Sequence, residues 1–322
     1  NENLEAIAFL RDLSDVMHER NKGALLIAEE STAWPKVTEP STVDGLGFDL
    51  KWNMGWMNDF TTYMQTDPLF RKGRHGMLTF SMIYAYSEKF VLVFSHDEVV
   101  HLKGSMFAKM PGEPEEKYAN LRVAYGFMMA HPGKKLLFMG QEFAQETEWN
   151  EKQELPWEQA EEPDHRALQQ YVKALNTFYQ EHPAWYETDF DAEGFEWLSS
   201  MDADHSIITF MRYDAKKEER LLVVCNFTPV TYENFKIGVP VAGKYKEIFN
   251  SDQISFGGTG CINARQKSAK KIPWDGREYS LTISVPPIGM SVYRCVPTDT
   301  TTATVPSKRG SARTGKTVKK RK

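Results

Sequence analysis

KFVLVFSHDE (residues 89–98) runs five apolar residues without interruption into a histidine and two acids, and its reading decides the fold. An unbroken apolar run of this length marks a strand buried on both faces, as in a parallel sheet covered by helices. The pattern recurs to either side. GALLIAEEST (23–32) ends in Glu29 and Glu30, KKLLFMGQE (134–142) ends in Gln141 and Glu142, and GLGFDLKWN (45–53) is a less regular fourth candidate. Apolar residues at Leu4, Ile7, Leu10, Leu13 and Met17 have helical spacing within Asn3–Arg20, and Glu116–His131 and Pro163–Gln180 read as further helices. Buried strands alternating with helices predict parallel βα units, and polar groups at the carboxyl ends of the strands are where a (β/α)8 barrel builds its site. Three clear strands and a weaker one account for about half of such a ring.

From about Glu187 the pattern changes. SIITFMRY (206–213), ERLLVVCNF (219–227), GKYKEIFN (243–250), YSLTISV (279–285) and GMSVYRCV (289–296) are short alternating runs separated by Gly, Pro, Asn and Asp turns. They predict an antiparallel β-sandwich domain. The expected fold is therefore α/β plus all-β: a partial barrel over 1–186, a sandwich over 187–297, and a disordered basic tail over 298–322, which is nearly free of large apolar residues.

Composition narrows the function. The 322 residues carry a net charge of −5, but the last fifteen hold eight Lys or Arg and no acid, so without those eight charges the body stands at −13. An acidic body argues against nucleic-acid binding, leaving only the tail to attract a polyanion. No apolar run is long enough for a membrane span and no secretory leader is recognisable, so a cytoplasmic location is expected. Cys225, Cys261 and Cys295 are odd in number and lack CxxC spacing, which suits a reducing compartment. His96 and His101 lie five apart rather than four, which argues against a zinc pair on a helix, and GGTG (257–260) has no helix after it to cradle phosphate. No cofactor is expected.

Two acids on different strand ends, Glu29 and Asp97, would share the barrel mouth, where burial and like-charge proximity can hold one carboxyl protonated while another stays ionised, as glycosidic-bond chemistry requires. Glu29 and Glu30 would equally serve as an ordinary polar strand end, and spacing alone leaves both readings open. His96 would bond a sugar hydroxyl or simply pair with the carboxylate. Trp52, Trp56, Trp149 and Trp157 lie in loop-like stretches beside Asn, Asp, Glu and Gln; flat rings with polar neighbours suit sugars, and loop anchors look the same.

Taken together, LLIAEEST (25–32), GLGFDLKWNMGWMNDF (45–60), LVFSHDEVVHLKGSM (92–106), LLFMGQEFAQETEWN (136–150) and LPW (155–157) closely resemble the bacterial 1,4-α-glucan (glycogen) branching enzymes of the α-amylase superfamily. The resemblance runs from Asn3 to about Val296 and is to the carboxyl-terminal half of the enzyme. It implies that Glu29, the first of the acid pair, is the general acid/base, that Asp97 stabilises the transition state, and that His96 contacts the sugar of the α-1,4-glucan; Trp52 and Trp56 are added as substrate-binding candidates on their rings and polar neighbours alone. It also implies a nucleophilic aspartate in a GxRxDA-type motif on the strand before Glu29. No such motif occurs here, and the missing strand, the rest of the barrel and the family's amino-terminal sheet domains would lie before Asn1. Asp49 follows Glu29 and lacks the neighbouring arginine, so it reads as a decoy. Two alternatives stay open: another glucan-active enzyme of the superfamily, or a non-enzymatic binding role for the basic tail. Oligomeric state has no signal in the sequence.

Overall fold

The computed structural model describes residues 2–298, so the expected tail, apart from Thr298, lies outside the described residues. Four short strands, β1 (Ile27–Ala28), β2 (Leu50–Trp52), β3 (Phe90–Phe94) and β4 (Lys134–Leu137), form a parallel sheet in the order β1-β2-β3-β4. This is the arc of a (β/α)8 barrel, and the weaker GLGFDLKWN run supplies β2. The apolar run before Glu29 pairs over only two residues, and Leu25 and Ile27 are left 62% and 45% exposed. All five residues of β3 are buried.

Helix α1 (Leu4–Arg20) is capped by the Asn3 side chain, which accepts from the Ala6 amide. Helix α2 (Met54–Gln65) follows β2 at once, with Asn53 accepting from the Trp56 amide as its cap. Short helices α3 (Gly76–Thr79) and α4 (Met106–Lys109) precede β3 and the long helix α5 (Pro114–Ala130). Helix α5 opens with Pro114 and a Glu113–Glu116 capping box, and α6 (Pro163–Glu181) also starts on proline. The parity of β3 places Phe94 toward the helices, where it meets Trp56 at 5.4 Å, Phe60 at 6.1 Å and Tyr125 at 6.1 Å.

The remaining strands are β5 (Phe195–Asp202), β6 (Ile207–Tyr213), β7 (Arg220–Asn226), β8 (Tyr232–Val239), β9 (Gly243–Asn250), β10 (Lys267–Ser268), β11 (Tyr279–Val285) and β12 (Gly289–Pro297). Six form an antiparallel sheet in the order β10-β9-β12-β7-β6-β5, and β8 and β11 form a two-stranded ribbon. Contrary to the expected alternation, β6 and β7 are buried on both faces. In β7, Leu222 and Val224 pack with the ribbon, while Leu221, Val223 and Cys225 join the core that α5 and α6 share with the barrel strands. Gly126 makes that contact possible: a Cβ there would lie 2.8 Å from Met290 Cε and 2.8 Å from Tyr171 Oη. A buried charge cluster joins the two halves. Asp189 accepts from Arg212 (3.1 Å) on β6 and from Lys134 (3.0 Å) on β4, while Arg212 also donates to Ala130 O (2.8 Å) at the end of α5. The three cysteines are free thiols. No helix among the described residues is long and apolar enough to cross a membrane.

Candidate active site

Strand parity separates the two acids after β1. Ala28 is buried against Val37 and Leu46 on the side covered by α1 and the 31–49 segment, and it is level with Lys51. Glu30, two residues on, shares that side: its Oε2 accepts from Lys51 Nζ (2.8 Å) and its Oε1 from the Thr32 amide (2.8 Å). Partial burial pushes the Glu30 carboxyl up, but the Lys51 and Thr32 hydrogen bonds and the Lys51 charge outweigh it and hold the group below the usual range. Lys51 also donates to Thr32 O at 3.0 Å, which ties the turn. Glu29 points the other way. It is exposed, and among the described residues its carboxylate has no hydrogen-bond or ion-pair partner.

The register carries this further. Ala28, Lys51 and Phe90 are level across the sheet, so one residue on, Glu29 is level with Trp52 and Val91 on the face away from the outer helices. Trp52 is the last residue of β2 and half-buried. A cavity of about 510 Å³ beside it is lined by Glu30, Lys51, Trp52, Trp34 and Tyr84, with Glu29 outside its lining.

His96 and Asp97 follow β3, two strands across from Glu29, a lateral distance of about 10 Å at the usual strand spacing of ~4.8 Å. Their side chains approach to 3.3 Å between His96 Nε2 and Asp97 Oδ1, and both residues are half-buried, their side chains 44% and 39% exposed. The turn that presents them is fixed from below. Buried Glu98 accepts from the Ser95 amide (2.5 Å) and hydroxyl (2.8 Å), Ser95 Oγ accepts from the Asp97 amide (3.2 Å), and Lys103 Nζ donates to Asp97 O (2.7 Å). The loop after β4 braces the loop after β3: Trp149 N donates to Val99 O, Glu148 accepts from the Lys103 amide, and Gln141 Nε2 donates to Phe94 O. Phe138 lies 5.9 Å from the His96 ring and 5.2 Å from Trp149, so Trp149 is half-buried behind the histidine. Sequence reasoning missed Glu98 and Lys103, which hold this turn, although both lie in LVFSHDEVVHLKGSM beside the histidine and aspartate.

One expectation changes. Trp56 lies in α2, not in a loop, and is 1% exposed, stacked on Phe60 at 5.1 Å. Its ring offers no face to a sugar, because α2 turns it onto Phe94. Asp49 precedes β2, so it lies at the opposite end of the parallel sheet from Glu29. Partial burial pushes its carboxyl up, but His18 Nε2 (2.9 Å) and the Leu26 amide (2.7 Å) more than offset this and hold it low. It is a clamp on the entry to β1.

Comparison with known proteins agrees with this architecture. Residues 197–296 match the family described as "Alpha amylase, C-terminal all-beta domain". The fold is similar to the crystal structures of alpha-amylases from H. orenii (TM-score 0.56, 15% identity, 91% of this chain and 57% of that one) and Geobacillus thermoleovorans (TM-score 0.60, 12% identity, 91% and 58%). At the sequence level, the chain is 49% identical over 292 residues to the 1,4-alpha-glucan branching enzyme GlgB of Shewanella frigidimarina, covering 91% of this chain and 39% of that protein. It is 52% identical over 289 residues to GlgB of Aquifex aeolicus, covering 90% and 46%. The chain thus spans less than half the length of these curated relatives. The chain is similar to part of these 1,4-alpha-glucan branching enzymes.

Proposed function

We propose that this chain carries the acid/base half of a 1,4-α-glucan branching site, working by a retaining double displacement. Glu29 protonates the leaving glycosidic oxygen while a nucleophilic carboxylate, whose motif this chain does not contain, attacks the anomeric carbon. Glu29, now a carboxylate, then takes the proton of a 6-hydroxyl on an acceptor chain, whose oxygen bonds to the anomeric carbon and displaces the nucleophilic carboxylate from it, so that an α-1,6 branch forms and the nucleophile is freed. Asp97 stabilises the charge developing on the ring, His96 hydrogen-bonds the sugar, and Trp52, level with Glu29, borders the chain. The chemistry needs no cofactor. Transfer requires the acceptor to outcompete water at the mouth.

The observation that carries the reading is the opposite treatment of two adjacent acids: Glu30 is held by Lys51 and Thr32, while Glu29 is left unpaired. A general acid has to keep its proton to give away, and Glu30, kept ionised by a lysine, is unsuited to that. We also read the chain as a barrel unit over 1–186 and a sandwich unit over 187–297, acting in the cytoplasm. The test is to incubate the full-length protein with amylose and count α-1,6 linkages by proton NMR and by chains released on debranching. New branches without a matching rise in reducing ends support the proposal. Reducing ends without branches would favour a hydrolase, and neither product would refute both.

A further inference from the structure

The β-sandwich holds a second cleft, about 630 Å³ in volume, between the β5–β6 turn and the β8–β11 ribbon. That size is ordinary for a small-molecule site, and it shares no residue with the strand ends that carry Glu29 and Asp97. One wall is a rigidly mounted tryptophan. Trp274 and Arg277 exchange backbone hydrogen bonds (3.0 and 2.8 Å) around Asp275 and Gly276, whose φ values of +47° and +71° make a primed two-residue hairpin turn. The turn rests on β8 at Gly238, where a Cβ would lie 2.2 Å from Trp274 O. Lys236 Nζ sits 4.7 Å from the Trp274 ring centroid, yet the residue remains 45% exposed.

The facing wall carries Met201, 83% exposed, and Asp202, whose carboxylate is oriented by His205 Nδ1 at 2.7 and 2.9 Å. Phe235 packs 5.6 Å from the His205 ring at the back. At the floor lies Thr209, 1% exposed, whose hydroxyl has no hydrogen-bond partner among the described residues. A buried hydroxyl facing a cleft without a partner is a cost that a hydrogen-bonding ligand removes.

An exposed flat ring and a thioether suit a ligand with C–H faces, and carboxylates beside an unpaired hydroxyl suit one rich in hydroxyls. The two acids argue against a polyanion. We propose that this cleft binds a segment of α-linked glucan, with Trp274 stacking on a pyranose ring and Asp202 and Asp275 accepting from its hydroxyls. The choice of α-glucan among hydroxyl-rich ligands rests on the function proposed above. Such a site holds the polymer while the barrel end acts on it.

The test measures maltoheptaose affinity by calorimetry, and retardation in native gels containing amylopectin, for the 322-residue chain and its Trp274→Ala and Gly238→Ala variants. Trp274→Ala should weaken maltoheptaose binding about tenfold and abolish most of the retardation, as loss of a stacking aromatic does. Gly238→Ala, which pushes the turn off β8, should do the same with the indole intact. Unchanged affinity and retardation in both variants overturn the proposal. Should Trp274→Ala fail to fold, protection of wild-type Trp274 from N-bromosuccinimide oxidation by maltoheptaose decides instead, and equal oxidation with and without the sugar overturns it. Branching is scored separately on the full-length protein. Sugar binding lost with Trp274 in a protein that makes no branches keeps the cleft and refutes only the branching reading; a branching protein whose binding ignores Trp274 refutes only the cleft.

Discussion

Replacing Glu29 and Glu30 singly by glutamine should produce two different defects, because only one of these acids is part of the local structure. Glu29→Gln removes no contact among the described residues, so the melting temperature should stay within about 1 °C of wild type. Branching by the full-length protein should fall about 10²–10⁴-fold, the usual value of positioned proton transfer. Glu30→Gln does the reverse. It takes the anionic partner from Lys51, whose side chain is 6% exposed and keeps only Thr32 O as an acceptor. Breaking a fully buried ion pair costs about 3–5 kcal/mol. Glu30 is 31% exposed, so solvent screening reduces the expected loss to about 1–2 kcal/mol, or a fall of a few degrees in melting temperature. Activity should remain within about tenfold of wild type. Pairing Glu30→Gln with Lys51→Met, which removes the stranded ammonium, should recover part of the lost stability. Iodine-stained amylose loss and differential scanning fluorimetry on the same preparations read both quantities. Full activity in Glu29→Gln together with a large loss in Glu30→Gln would refute the assignment, and a melting temperature unmoved by Glu30→Gln would refute the described Lys51 contact.

Three further outcomes follow from the packing. Asp189→Asn keeps the shape but removes the charge that faces Arg212, both side chains being 0% exposed, and should cost about 3–5 kcal/mol in urea unfolding; a loss below about 1 kcal/mol would mean that the cluster is not held by charge. Glu219 is pushed up by burial but held low by the His182 hydrogen bond (2.5 Å), the Ala184 amide and the charges of His182 and Arg294, so its folded pKa lies below its unfolded one. Its contribution to stability is therefore complete above the ordinary glutamate pKa of about 4.5 and is lost as pH falls through the depressed folded value; Glu219→Gln should flatten the acid limb of stability against pH, and an unchanged limb would remove Glu219 from that role. Leu102 holds φ +67° while 99% exposed, so Leu102→Gly relieves about 1–2 kcal/mol of strain against a smaller entropic cost and should raise the melting temperature; a fall would show that the leucine side chain contributes contacts.

What the chain reveals from sequence depends on whether a residue's environment is set by its own segment. Strand β3 was legible because it is buried on both faces, and an apolar run says so without reference to any partner. Strands β5 and β8 were not, because their half-exposed sequences FEWLSSMD and YENFKIGV gain their place only by pairing with β6 and β11. Helix α2 is a different case. Trp56, Met57, Phe60, Tyr63 and Met64 are spaced as a buried helical face behind an Asn53 cap, so the signal was present; the polar neighbours Asn53, Asn58 and Asp59 around the tryptophans suggested a loop instead. The pairing of Glu30 with Lys51 was invisible, since a lysine inside a strand gives no hint of its register.

Register is also what separates the two acids. Side chains alternate along a strand, so a slip of one residue in β1 would turn Glu30 to the barrel face and bury Glu29 against Lys51. With only two paired residues, β1 holds its register poorly by itself. The hold comes from just before it: Asp49 accepts the Leu26 amide at 2.7 Å through Oδ2, Leu26 O accepts the Asp49 amide at 2.8 Å, and His18 on α1 grips the same carboxylate at 2.9 Å. Ala28, too small to be replaced by the flanking Ile27 without displacing Val37 and Leu46, fixes the parity one step later. The carboxylate that resembles a nucleophile in the sequence thus sets, from the far end of the strand, which of the two glutamates the barrel face receives.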